Sequence, residues 1–221
     1  MRMVIVGFAG MCLSIGALAS DDWKPLYDRW QHPQPLPDFE LIDHRGEPFR
    51  LHDLGDGHLL IGFIFTRCTI PEACPLTTEK MARVQRAWNA LDPRPRERSL
   101  QLLSVTLDPA FDTPARLAAY AEAHGADLRR ADPSADGRPG RATWTFATGP
   151  HELVSNALPS LFNILALPDG HGTISHTVKV ALLAPDLTLL AQWKDNAFTP
   201  DEIIARILNR GDSERAPQGS R

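Results

Sequence analysis

Three residues of this 221-residue chain combine side-chain type with a placement that could support chemistry: Cys68, Cys74 and His176. Two cysteines close together can form a structural disulfide, a redox-active dithiol or part of a soft-metal site. Cys68 follows an apolar run ending at Phe65. Cys74 directly precedes Pro75, where a helix should begin because proline suits the first helical position. A cysteine at a helix N-terminus meets unpaired backbone N–H groups and the positive end of the helix dipole, both of which stabilise a thiolate. Thiolate is the form that attacks disulfides and binds soft metals. A disulfide closing so short a loop would constrain the unfolded chain little, which favours a functional pair over an inert one. The spacing alone leaves disulfide, redox pair and metal site open.

The chain has eight histidines, and spacing selects none of them. His176, in Ser175-His176-Thr177, immediately precedes the apolar run Val178–Leu183; His171, in Gly170-His171-Gly172, is the reserve candidate. Two thiolates and one imidazole make a soft three-donor set that suits Cu(I), and Cu(II) with an added ligand. A structural zinc site would usually require a fourth protein ligand.

These residues need a scaffold, and the pattern supplies an α/β one. Leu59–Phe65 reads as a buried central strand. Met81, Val84, Trp88 and Leu91 hold helical spacing after Pro75, and Leu100–Leu107 is the next strand. Thr113-Pro114 opens a second helix, with Gly125 as its stop. Trp144–Ala147 is a further strand, and residues 150–165 include a helix. Val178–Leu183 and Leu187–Trp193 form a hairpin about Ala184-Pro185-Asp186. Thr199-Pro200-Asp201-Glu202 caps a last helix with Ile203, Ile204, Ile207 and Leu208 on one face. Before these, Phe39–Asp43 and Phe49–Leu51 read as a short strand pair. Strand–helix alternation followed by a hairpin specifies a mixed β-sheet flanked by helices, the order of a thioredoxin-like fold. In that fold the loop before the first hairpin strand faces the helix carrying the cysteines, which singles out His176.

The ends differ from this domain. Residues 1–19 carry one early charge, Arg2, an apolar run and the small-x-small pattern Ala17-Leu18-Ala19, which predicts a secretory signal peptide; uncleaved, it would be a membrane tether. Its removal would take Cys12 and leave Cys68 and Cys74 as the mature chain's cysteines. Residues 20–37 form an extended lead-in containing Trp23 and Trp30, residues 38–210 the domain, and residues 211–221 a polar tail. Residues 94–98 and 129–141 read as arginine-rich solvated loops. The formal charge of −4 gives no basis for a nucleic-acid partner.

Four segments together resemble the Sco/SenC family, copper chaperones of cytochrome c oxidase assembly. They are Ile64-Phe65-Thr66-Arg67-Cys68 with Cys74-Pro75; Ser104-Val105-Thr106-Leu107-Asp108-Pro109 with Asp112-Thr113-Pro114; Ala119-Tyr120 through Gly125-Ala126-Asp127 with Trp144-Thr145-Phe146-Ala147-Thr148-Gly149; and His176-Thr177. The resemblance spans most of residues 36–210. It implies that Cys68, Cys74 and His176 bind copper and that the cysteine pair cycles between dithiol and disulfide. It also implies that Asp108 lies near the site, and that the partner is a copper acceptor, such as an oxidase subunit, or a disulfide-bearing protein. The chain departs from the family pattern by placing five residues, Thr69–Ala73, between the cysteines instead of three. A thiol-disulfide oxidoreductase is the competing reading; the lack of a Cys-x-x-Cys motif and of a proline before Val178 sets the chain apart from ordinary thioredoxins.

Overall fold

The computed structural model describes residues 35–54, 57–91, 99–128 and 140–213. The signal segment, Trp23 and Trp30, most of the arginine-rich loops and the end of the tail lie outside them.

Seven strands form the central sheet in the order β2-β1-β5-β4-β3-β8-β9. They are β1 (Glu40–Asp43), β2 (Pro48–Arg50), β3 (His58–Ile64), β4 (Leu100–Thr106), β5 (Thr143–Thr148), β8 (Lys179–Leu183) and β9 (Leu189–Lys194). A separate ribbon pairs β6 (Ala166–Pro168) with β7 (Ile174–His176). The pairs β3–β4 and β4–β5 are parallel, and every other pair is antiparallel. Every residue of β3 and β4 is buried, as their continuous apolar runs require of strands covered on both faces.

The helices are α1 (Cys74–Asn89), α2 (Pro114–Ala123), α3 (Leu158–Leu161) and α4 (Pro200–Ser213). Helix α1 buries Met81, Val84 and Trp88 and packs against α4, whose Ile203 and Ile207 are fully buried. Helix α2 lies against β5. It begins at the expected cap, Thr113, whose hydroxyl accepts from the Arg116 amide, and ends at Gly125 with φ +73°. Leu36, at the end of the lead-in, is buried and its amide donates to the Leu187 carbonyl.

Two expectations shift. The helix predicted within residues 150–165 is a wide π-turn, Glu152–Ala157, running into the single α-turn α3. Pro159 has no N–H to extend the α ladder back to residue 155, while the Leu158 amide reaches Leu153. The segment read as a loop around His171 is the β6–β7 ribbon, so His176 ends a strand. Strands of three residues are too short to show alternation in a sequence.

Candidate metal centre

Strand β3 ends at Ile64 and delivers Cys68 four residues later, at the carboxyl edge of the sheet, where open α/β folds gather their reactive groups. The five-residue loop after Cys68 is folded back by consecutive turns. The Ala73 amide donates to the Ile70 carbonyl at 3.0 Å, and the Leu76 amide to the Pro71 carbonyl at 3.1 Å. Cys74 is thereby placed as the first residue of α1, fully buried, while Cys68 stays partly exposed.

His176 comes from the opposite side. Its Nε2 lies 3.5 Å from Cys74 Sγ, and its ring meets Phe65 edge-on at 5.8 Å. Nδ1 is 3.2 Å from the Thr177 carbonyl, which can only accept, so Nδ1 carries the proton and Nε2 presents its lone pair to the cysteines. Burial lowers the pKa of His176, which keeps the imidazole neutral and able to ligate. His171 is exposed in the turn between β6 and β7, its amide bonded to Asp169 Oδ1 at 2.7 Å.

The two thiols are unequal. Cys68 is lowered to about 6, because the Cys74 thiol donates to it and the Cys74 backbone amide adds a second donor. Cys74 is pushed up by that same donation to Cys68 and by burial. The sequence left open which cysteine attacks, with the helix terminus favouring Cys74 and exposure favouring Cys68. The Cys74 backbone amide lowers both thiols, but at Cys74 burial and the interaction with Cys68 outweigh it. In the reduced, metal-free protein, alkylation should therefore occur at Cys68 alone. Its rate should rise with pH through about 6 as thiolate forms and then level off, whereas an ordinary thiol keeps accelerating past pH ~8. Mass-spectrometric mapping of alkylation rate against pH checks this. A Cys74→Ser variant should shift the midpoint, because the thiol donor is replaced.

Of the two cysteines, Cys74 is the one in contact with His176. Among the described residues no group of three or more His, Cys, Asp and Glu side chains is gathered tightly enough to enclose a metal ion. Cys68 Sγ lies 3.9 Å from the Ile70 carbonyl. The donor chemistry, two thiols and a neutral imidazole, fits a soft ion such as Cu(I).

Several further residues support the site, and of these Asn196 carried no sequence signal of its own. Asn196, buried at φ +57°, donates its side-chain amide to the carbonyls of Glu72 (2.9 Å) and Ala73 (3.3 Å), pinning the second half of the inter-cysteine loop. Asp112, fully buried, accepts from the Thr66 amide (3.0 Å), the Thr66 hydroxyl and the Thr106 hydroxyl, tying the β3 exit to the β4 exit. Thr78 donates to the Cys74 carbonyl and contacts Tyr120 Oη at 3.1 Å. Asp108 is buried near the site, as the resemblance implied, and bonds Arg67.

A parallel-cored sheet with a dithiol at its carboxyl edge and an imidazole facing the buried thiol defines a thioredoxin-like protein with a single dithiol–imidazole cluster. The SCO1/SenC family model matches residues 29–210, and the chain belongs to that family. It is 33% identical over 158 residues to the Stutzerimonas stutzeri protein named "Putative copper-binding protein", covering 70% of this chain and 66% of that protein. It spans half or less of the length of the mitochondrial SCO2 homologues of mouse and cattle. Its fold is similar to that of BsSco, described as a member of the Sco family of cytochrome c oxidase assembly proteins (TM-score 0.61, 21% identity, 82% of this chain and 98% of that one). It is similar also to copper-bound yeast Sco1 (TM-score 0.60, 22% identity, 84% and 92%). No helix among the described residues is long and apolar enough to cross a membrane.

Proposed function

We propose that this chain is an exported copper metallochaperone, periplasmic or tethered to a membrane by its N-terminal segment. In this reading Cys68, Cys74 and His176 hold copper and pass it to an acceptor protein, such as the copper-bearing subunit of cytochrome c oxidase. The observation that carries it is the neutral His176 Nε2 facing the Cys74 thiol at 3.5 Å, on a chain of the SCO1/SenC family. The name of the Stutzerimonas relative and the copper held by yeast Sco1 support copper as the cargo. Transfer is ligand exchange: acceptor thiolates displace the exposed Cys68 first and the buried Cys74 last.

A second reading, thiol-disulfide exchange, is favoured by the asymmetry of the two thiols. Cys68 thiolate attacks a partner disulfide and releases one partner thiolate. Cys74 then attacks Cys68 Sγ and releases the second, leaving the pair oxidised and the partner reduced. Copper titration of the reduced protein separates the readings. The metallochaperone predicts one tightly held equivalent and, with Cu(II), a thiolate-to-copper charge-transfer band that weakens or shifts in His176→Ala. No stoichiometric uptake, together with turnover of a disulfide substrate, would favour exchange.

A further inference from the structure

Arg67 stands where three segments of the site meet. Its backbone leads directly into Cys68. Its Nε donates to Asp108 Oδ2 at 3.0 Å, and its Nη2 makes a second short bond to the same oxygen. Its guanidinium lies 4.2 Å from the centre of the Phe111 ring. That ring is also held by Arg116, whose guanidinium lies 3.9 Å from its centre and donates to the Phe111 carbonyl at 2.7 Å. Against the remaining side lies Gly172, where a Cβ would sit only 2.6 Å from Arg67 Nη1. Gly172 belongs to the turn that joins β6 to β7. Asp169 closes this turn, accepting from the His171 and Thr173 amides at 2.7 and 3.0 Å, and β7 then runs directly into His176.

We propose that Arg67 is a positioning residue for the Cys68/Cys74/His176 site: held by Asp108 and Phe111, its guanidinium braces the Gly172 turn and so sets where the His176 strand stands relative to the cysteine loop. The inference rests on the copper-site reading above and adds to it the element that spaces its two arms. Lysine cannot replace this contact set, because it lacks the planar fork that bonds a carboxylate while stacking on a ring.

The glycines supply a clean test. Gly172 and Gly170 both have positive φ, +98° and +77°, so alanine introduces backbone strain at either position. Only at Gly172 does the new Cβ meet Arg67; at Gly170 nothing lies within 4 Å. Because the colliding atom is the far end of a flexible side chain, Gly172→Ala displaces the guanidinium while leaving its charge in place.

The full chain and the variants Gly172→Ala, Gly170→Ala, Arg67→Gln and Arg67→Lys are titrated with copper in the reduced state. Amide hydrogen exchange across residues 166–176 is followed in the reduced, metal-free proteins, with thermal midpoints alongside. Gly172→Ala and both Arg67 variants should lose roughly 10–100-fold in copper affinity, the range typical of outer-sphere partners. They should also shift the Cu(II) charge-transfer band and exchange faster through the ribbon. Gly170→Ala should match the parent in affinity and band position while sharing the fall in thermal midpoint of Gly172→Ala. Combining Gly172→Ala with Arg67→Gln should add nothing further, since both remove one brace. Equal copper affinity and equal exchange for the two glycine variants would overturn the inference, as would full function in Arg67→Lys. If the parent protein takes up no copper, the functional reading falls by itself, and the brace stands or falls on the exchange comparison.

Discussion

Copper binding by the reduced protein should fall by more than ~100-fold when Cys74 becomes serine. Outer-sphere partners of a metal are worth roughly 10–100-fold in affinity, and a direct soft ligand is worth more. Cys74 is also the buried cysteine of the pair, and its Sγ lies 3.5 Å from His176 Nε2. Serine keeps the shape but offers a hard oxygen that Cu(I) disfavours. Cys68→Ser removes the partly exposed proposed ligand and should leave the Cys74–His176 contact in place. Its loss should therefore be smaller than that of Cys74→Ser while remaining large. Competition titration against a Cu(I) chelator of known affinity measures both. Thermal unfolding of the two variants separates ligand loss from misfolding, because Cys74 is buried in the core.

A large loss of stability should come from Asp112→Ala. Its carboxylate receives three donors, one backbone amide and two hydroxyls, at the exits of β3 and β4. Truncation leaves these donors without an acceptor. At about 1–3 kcal/mol per unsatisfied buried donor, with Thr66 partly open to water, the expected loss near pH 7 is about 3 kcal/mol. The pH dependence carries a definite sign. Burial raises the folded-state pKa of Asp112 above its ordinary value, a shift only partly offset by the Thr106 and Thr66 hydrogen bonds. The folded state therefore holds this proton more tightly than the unfolded chain. That contribution is fully present below the unfolded pKa of about 3.9 and is lost as pH rises through the folded pKa. The stability gap between wild type and Asp112→Ala should accordingly widen as pH falls from neutrality toward 4. Denaturant unfolding of both proteins across that range checks it, and a gap that narrows would mean the carboxylate is stabilised as an anion.

The scaffold was legible in the sequence because burial on two faces leaves a strong mark. His58–Ile64 and Leu100–Thr106 are nearly continuous apolar runs, and Thr113-Pro114 with Gly125 bounds α2 by residues that have a local reason to be there. The ribbon carrying His176 was not legible, since β6 and β7 have three residues each and leave Leu165, just before β6, and Leu167, within it, exposed. The π-turn before α3 was hidden for a related reason: helical periodicity does not distinguish the register of the hydrogen bonds.

At the site, residue type and position picked out Cys68, Cys74 and His176, and His176 needed the topology as well. The direction of activation within the pair did not follow. Helix-terminus reasoning points to Cys74 and exposure to Cys68, so the sequence left the assignment open; which sulfur is exposed is set by the fold of Thr69–Ala73. Arg67 and Asp112 lay in the segments that carry the resemblance and Asn196 did not, but the role of none of the three was legible, because each acts through a partner more than 40 residues away, Asp108, Thr66 and Glu72 respectively. A single sequence carries no mark of such pairings.

The central claim is that one ion is held by both sulfurs and one imidazole. X-ray absorption spectroscopy of the reduced protein loaded with one equivalent of copper tests it most directly, with His176→Ala as the comparison. The proposed copper site predicts two sulfur scatterers and one imidazole nitrogen, with the outer-shell imidazole signal absent from His176→Ala. Copper bound by oxygen and nitrogen alone, or an imidazole signal that persists in the variant, would contradict the account.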